Sequence, residues 1–77
     1  MSHENYKTTD LGLSATLTVV GFPVLDIDKT NPRRVVFLFE ASDELDDSVK
    51  KYWSGELKVS ANSLLDGIKY LKALIYS

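Results

Sequence analysis

Asp26 and Asp28 stand two residues apart, so on a strand their carboxylates project from the same face. With Glu40 as a further oxygen donor they could hold a hard divalent cation of the Mg²⁺ type, which takes carboxylate ligands. The set includes no histidine and no fixed third ligand. The simpler expectation pairs Asp28 with Arg34 and leaves Asp26 solvated, as surface charges usually are, so no metal site and no cofactor are assigned. The one histidine, His3, lies near the N-terminus, where a frayed chain cannot position a general base. There is no cysteine, hence no thiolate nucleophile and no thiolate zinc site. Without a usable imidazole the hydroxyls form no acyl-transfer triad, and no glycine-rich loop opens a helix to cradle phosphate. No catalytic residue is assigned, and the chain reads as non-enzymatic.

Binding chemistry has two candidates. Lys29, Arg33 and Arg34 surround an Asn31-Pro32 turn, and a two-stranded ribbon with a basic tip can enter a nucleic-acid groove. Lys7 joins that tip only if the first element lies alongside. Nine Lys/Arg against eleven Asp/Glu give a net charge of −2, so there is no global attraction to phosphate and such binding would be local, weak and salt-dependent. The plainer alternative is a hairpin end kept soluble by its charges. Lys50, Lys51, Lys69 and Lys72 read as solvated helix faces, with Asp46–Lys50 and Asp47–Lys51 spaced as i, i+4 pairs.

The second candidate is apolar. Tyr70, Leu74 and Tyr76 lie off the central stripe of the C-terminal helix, and surplus apolar surface on a small domain marks either a protein partner or a second copy. Cover by the first helix or the N-terminal segment would equally account for it.

The elements that must carry these residues follow from patterning. A chain of 77 residues makes one domain and buries only roughly 60% of its unfolded surface; residues 1–5 read as a tail and 6–77 as the domain. A 44% hydrophobic and 26% charged composition suits a folded domain and not a disordered tail. The absence of cysteine, of a leader-like apolar segment and of any run of about 20 apolar residues leads us to expect a cytoplasmic protein with no membrane association.

Between Asp10 and Val20, Leu11, Leu13, Ala15, Leu17 and Val19 alternate as in a strand. Thr9 as an N-cap and Gly21 with Pro23 beyond it fit a helix equally well. A hairpin follows, with runs Phe22–Lys29 and Arg34–Glu40. An odd loop over residues 30–32 would pair Asp28 with Arg34 and gather Leu25, Ile27, Val35, Phe37 and Phe39 on one face. Val36 and Leu38 then occupy the other face, which makes the second strand central.

The next helix is capped by Ser42, closed by Gly55, and buries a stripe of Leu45, Val49, Tyr52 and Trp53, so Trp53 reads as core. Residues 57–59 supply a short strand or extended link. Ser60 caps the last helix, whose stripe is Leu64, Ile68, Leu71 and Ile75, with Leu65 on one flank. Gly67 inside it calls for a closely approaching backbone, since glycine there costs about 1 kcal/mol against alanine.

The stretches "YKTTDLGLSATL", "GFPVLDIDKTNPRRVVFLFE" and "YWSGELKVSANSLLDGIKYLKALIYS" together resemble a family of short bacterial domains of unknown function. The resemblance runs from Tyr6 onward and marks Thr8, Thr9, Asp10, Leu11, Phe39, Glu40, Tyr52, Trp53 and Gly55 as family-type positions. It also tips residues 10–20 toward helix, although Thr16, Thr18, Val19 and Val20 depart from the alanine- and leucine-rich pattern seen there. It implies no activity. The resulting expectation is an α+β domain: a small antiparallel-dominated sheet with a central hairpin and about three helices on one face. Functionally we expect a non-catalytic module that associates through its C-terminal helix, with nucleic-acid binding by the hairpin tip as the alternative.

Overall fold

The computed structural model describes residues 5–77. Six elements follow in the order β1 (Asn5–Thr8), α1 (Leu11–Val19), β2 (Val24–Asp28), β3 (Val36–Glu40), α2 (Asp43–Ser54) and α3 (Ala61–Ile75). The strands make one antiparallel sheet in the order β1-β3-β2, so the fold is α+β with β3 at the centre. Asn5, grouped with the tail on sequence grounds, is already in β1, where it pairs with Glu40. His3 lies outside the described residues.

The ambiguous stretch is a helix, and its burial explains the ambiguity. Leu13, Ser14, Ala15, Thr16 and Leu17 are all buried, so α1 is enclosed nearly all round and shows no apolar stripe. Its threonines are accommodated because Thr16 Oγ1 donates to the Gly12 carbonyl and Thr18 Oγ1 to that of Ser14, each at 2.9 Å. The N-cap is Asp10 and not Thr9: Asp10 Oδ1 accepts from the Leu13 amide at 2.9 Å, while Thr8 Oγ1 accepts from the Asp10 amide. Carboxylate at that position also faces the positive end of the helix. At the other end Gly21, at φ 113°, lets the Phe22 amide reach the Leu17 carbonyl in a Schellman closure.

The hairpin keeps the expected odd parity but not the expected register. Asp28 faces Val36 instead of Arg34, and Ile27 faces Phe37. The connection is longer because side chains organise it: Asp28 Oδ1 accepts from the Thr30 amide and Asn31 Oδ1 from the Arg33 amide. A two-residue shift preserves which side chains share a face, so Phe37 and Phe39 still point inward and are buried. No Asp28–Arg34 ion pair forms; among the described residues the one pair within bonding distance is Lys51–Asp47 at 3.0 Å, and Asp46–Lys50 is not made. Pairing jumps from Val24–Phe39 to Asp26–Leu38, which leaves Leu25 as the extra residue of a bulge. Leu25 is therefore not in the core but 51% exposed.

In α2, Ser42 caps and Gly55 closes at φ 82°, as expected. Leu45 is buried and Val49 and Tyr52 are half-buried, but Trp53 is 63% exposed and is not core. It stacks edge-on against Tyr52, with ring centroids 5.0 Å apart, at the outer limit of the apolar arc. Residues 57–59 form no strand, leaving the extended link. On α3, Leu71 is buried, Leu64, Ile68 and Ile75 pack against the core, and Leu65 is exposed. Leu13, Ala15, Leu17, Phe37, Phe39, Leu45 and Leu71 join all three helices to the inner face of β3.

Candidate interaction surfaces

The bulge that turns Leu25 outward places it opposite α3. Leu25, Ile27, Tyr70 and Leu74 line a groove of about 320 Å³ between the β2 edge and the helix, with Asp26 and Lys29 also in its wall. Leu25 and Tyr70 are each about half exposed. Next to it Lys29, Pro32, Val35, Ile75 and Tyr76 line a second depression of about 270 Å³, with Tyr76 83% exposed. Tyr70 and Leu74 thus border the first depression and Tyr76 the second, with Lys29 in the wall of both, and Leu25 is the contribution that sequence patterning missed. Strict alternation hides a bulge, since one inserted residue changes facing without changing the pattern of residue types.

The basic residues of the tip have different neighbours. Lys29 Nζ donates to the Ile75 carbonyl at 3.2 Å, placing a cation on the negative end of α3 and tying the hairpin to it. Arg34 instead lines a depression with Lys7, Thr8, Thr9 and Val36. Arg33 is exposed. Lys7 lies with Arg34 in one depression and with Lys29 in another, as β1 runs beside β3.

The β2 edge itself is guarded. Asp26 Oδ1 accepts from the Ile27 amide at 2.8 Å, so that donor is not offered to an incoming strand, and the bulge at Leu25 interrupts the ladder beside it. Asp28 is held below the ordinary carboxylate range by hydrogen bonds from the Thr30 hydroxyl and amide, with Lys7 adding attraction. Both aspartates are thus occupied with local backbone. Among the described residues no three metal-ligating side chains converge.

A family model described as a domain of unknown function (DUF5659) matches residues 3–77. The chain belongs to this family. No curated protein and no solved structure matches it.

Two further features of this DUF5659 domain bear on chemistry. The Ser14 hydroxyl is fully buried with no hydrogen-bond partner, enclosed in the α1 core and away from every depression described above. Tyr6 lies near Asp10 and Asp46, and its phenol is pushed above its ordinary range, first by burial and then by these carboxylates; a phenol so placed stays protonated and is no base at neutral pH. Among the described residues of the DUF5659 domain no helix is long and apolar enough to cross a membrane.

Proposed function

We propose that the domain is a non-catalytic interaction module that binds a protein partner through α3 and the strip of β2 beside it. The observation that carries this reading is the groove between Leu25 on one wall and Tyr70 and Leu74 on the other, with Tyr76 exposed beyond it. Tyrosine and leucine at the rim of a concave surface that mixes apolar side chains with Asp26 and Lys29 suit side-chain docking. Strand addition is disfavoured, because the β2 edge is bulged and its Ile27 donor is occupied. The occupant is therefore an apolar side-chain ridge, as a helix presents, and not an extended peptide. The cysteine-free composition supports a cytoplasmic setting.

Absence of native cysteine also makes the test clean. A photo-crosslinker on Tyr70→Cys is expected to yield a discrete adduct in the producing cell, lost on Leu74→Asp and kept on Arg33→Glu/Arg34→Glu. An adduct of two chain masses identifies a second copy, and any other mass a different protein. Labelling that matches a Lys50→Cys control would overturn the reading.

Nucleic-acid binding is the competing reading, supported by the shared position of Lys7 and Arg34. It requires retention on DNA or heparin at low salt that Arg33→Glu/Arg34→Glu abolishes while Leu74→Asp does not.

A further inference from the structure

The outer face of the sheet carries a charge pattern that the α3 groove does not use. Side chains of β3 alternate, so with Phe37 and Phe39 buried inward, Val36 and Leu38 point the other way. They are only half-buried, and together with Lys7, Asp28, Lys29 and Thr30 they line an open depression of about 610 Å³ into which, among the described residues, no helix residue reaches. Register fixes what flanks them. Lys7 pairs with Leu38 on one side and Asp26 pairs with the same Leu38 on the other. Asp28 likewise flanks Val36. The face carries Lys7 on β1, Val36 and Leu38 on β3 with Glu40 at that strand's end, and Asp26 and Asp28 on β2, with Lys29 also in the wall of the depression and Arg34 adding to the β1 side.

Such a pattern is its own complement under one operation. A two-fold axis running along β3, above the sheet, maps β1 of one copy over β2 of the other and β3 over β3. Because Lys7, Leu38 and Asp26 share one cross-strand row, the operation keeps the row in register. Lys7 then faces the other copy's Asp26, and Leu38 meets Leu38. Stacked sheets lie about 10 Å apart, a gap that a lysine and an aspartate reaching toward each other span. Asp26 gives only Oδ1 to the Ile27 amide, which leaves its second oxygen for the ammonium. We infer that the outer sheet face is a symmetric self-association surface whose occupant is a second copy of this chain, with Val36 and Leu38 at the centre and reciprocal Lys7–Asp26 pairs at the sides. This site is separate from the α3 groove and does not depend on that proposal.

Charge reversal tests it in a way that unfolding cannot imitate. By sedimentation equilibrium at up to about 1 mM chain, the unaltered protein should dimerise. Lys7→Glu sets two acidic groups against each other in both reciprocal pairs, and Asp26→Lys sets two basic ones; each should weaken self-association about a hundredfold, since like charges brought together at an interface cost several kcal/mol. Mixing the two variants should then restore a heterodimer, and that restoration also demonstrates that both are folded. Leu74→Asp should leave the unaltered dimer intact. A chain that stays monomeric at the highest concentration, or a mixture that forms no heterodimer, would overturn the inference. So would a dimer that Leu74→Asp alone dissolves, which would place self-association at α3 instead.

Discussion

Gly67 of α3 lies so close to Ala15 of α1 that a Cβ added at 67 would stand 3.0 Å from the Ala15 carbonyl oxygen and 3.1 Å from Val19 Cγ2. The oxygen belongs to a buried helical backbone and cannot swing aside. Alanine would gain about 1 kcal/mol in helix propensity, but overpacking a tight core contact costs about 1–3 kcal/mol, and here the obstruction is backbone. Gly67→Ala is therefore expected to lower stability by up to about 2 kcal/mol in urea denaturation, and Gly67→Leu to prevent folding. A Gly67→Ala domain with a raised urea midpoint would show that α1 and α3 do not meet in this way.

Capping offers a sharper local test, because Asp10 and Thr9 are neighbours with different assignments. Asp10 Oδ1 receives the Leu13 amide, whereas Thr9 is exposed and accepts none of the α1 amides. Asp10→Ala should cost about 1 kcal/mol, as loss of an N-cap usually does. Thr9→Ala should fall within about 0.5 kcal/mol of the parent, the range of ordinary surface changes. Equal losses in chemical denaturation would refute the assignment.

Trp53 and Leu45 share α2 but not an environment. Leu45 is fully buried, so Leu45→Ala should lose about 2–5 kcal/mol. Trp53→Ala should change stability by only about 0.5 kcal/mol, and the intrinsic fluorescence of this single tryptophan should be water-like and open to quenching by iodide in the native state. Blue-shifted, protected emission would put Trp53 in an apolar contact, either in the core or under a partner.

Where the sequence proved readable, two signals agreed. Ser42 and Gly55 bracket α2 with a cap at one end and a left-handed glycine at the other, and Phe37 and Phe39 alternate with Val36 and Leu38 on a strand that pairs on both sides. Gly67 announced the α1–α3 contact by being a poor choice for any other reason. Periodicity failed where burial is not one-sided: α1 is enclosed from Leu13 to Leu17, which removes the polar face that would have marked a helix. It failed again at Leu25, because one inserted residue reverses facing without altering composition. The apolar flank of α3 was legible through Tyr70 and Leu74, but its opposite wall depended on that bulge. The tie between Lys29 and the end of α3 joins residues far apart in the chain, Lys29 and Ile75, which local patterning does not encode.

The Asp28–Thr30 turn makes a pH-dependent prediction. The Thr30 hydroxyl and amide favour the ionised Asp28 carboxylate, as does Lys7 more weakly, and hold it below its ordinary value of 3.8. A depressed carboxyl in the folded state contributes stability above the unfolded value, and that contribution fades as pH falls through the folded one. Thr30→Val removes the hydroxyl but keeps the amide at 2.9 Å, so the Asp28 midpoint followed by carboxyl carbon NMR should move back toward 3.8 without reaching it. Parent and variant should therefore differ in the Asp28-dependent part of their stability at neutral pH and converge once acid has protonated Asp28 in both. Lys7→Met should shift the midpoint in the same direction by less. An Asp28 midpoint unmoved by Thr30→Val would mean that the hydroxyl does not favour the ionised carboxylate and that the amide alone holds the turn.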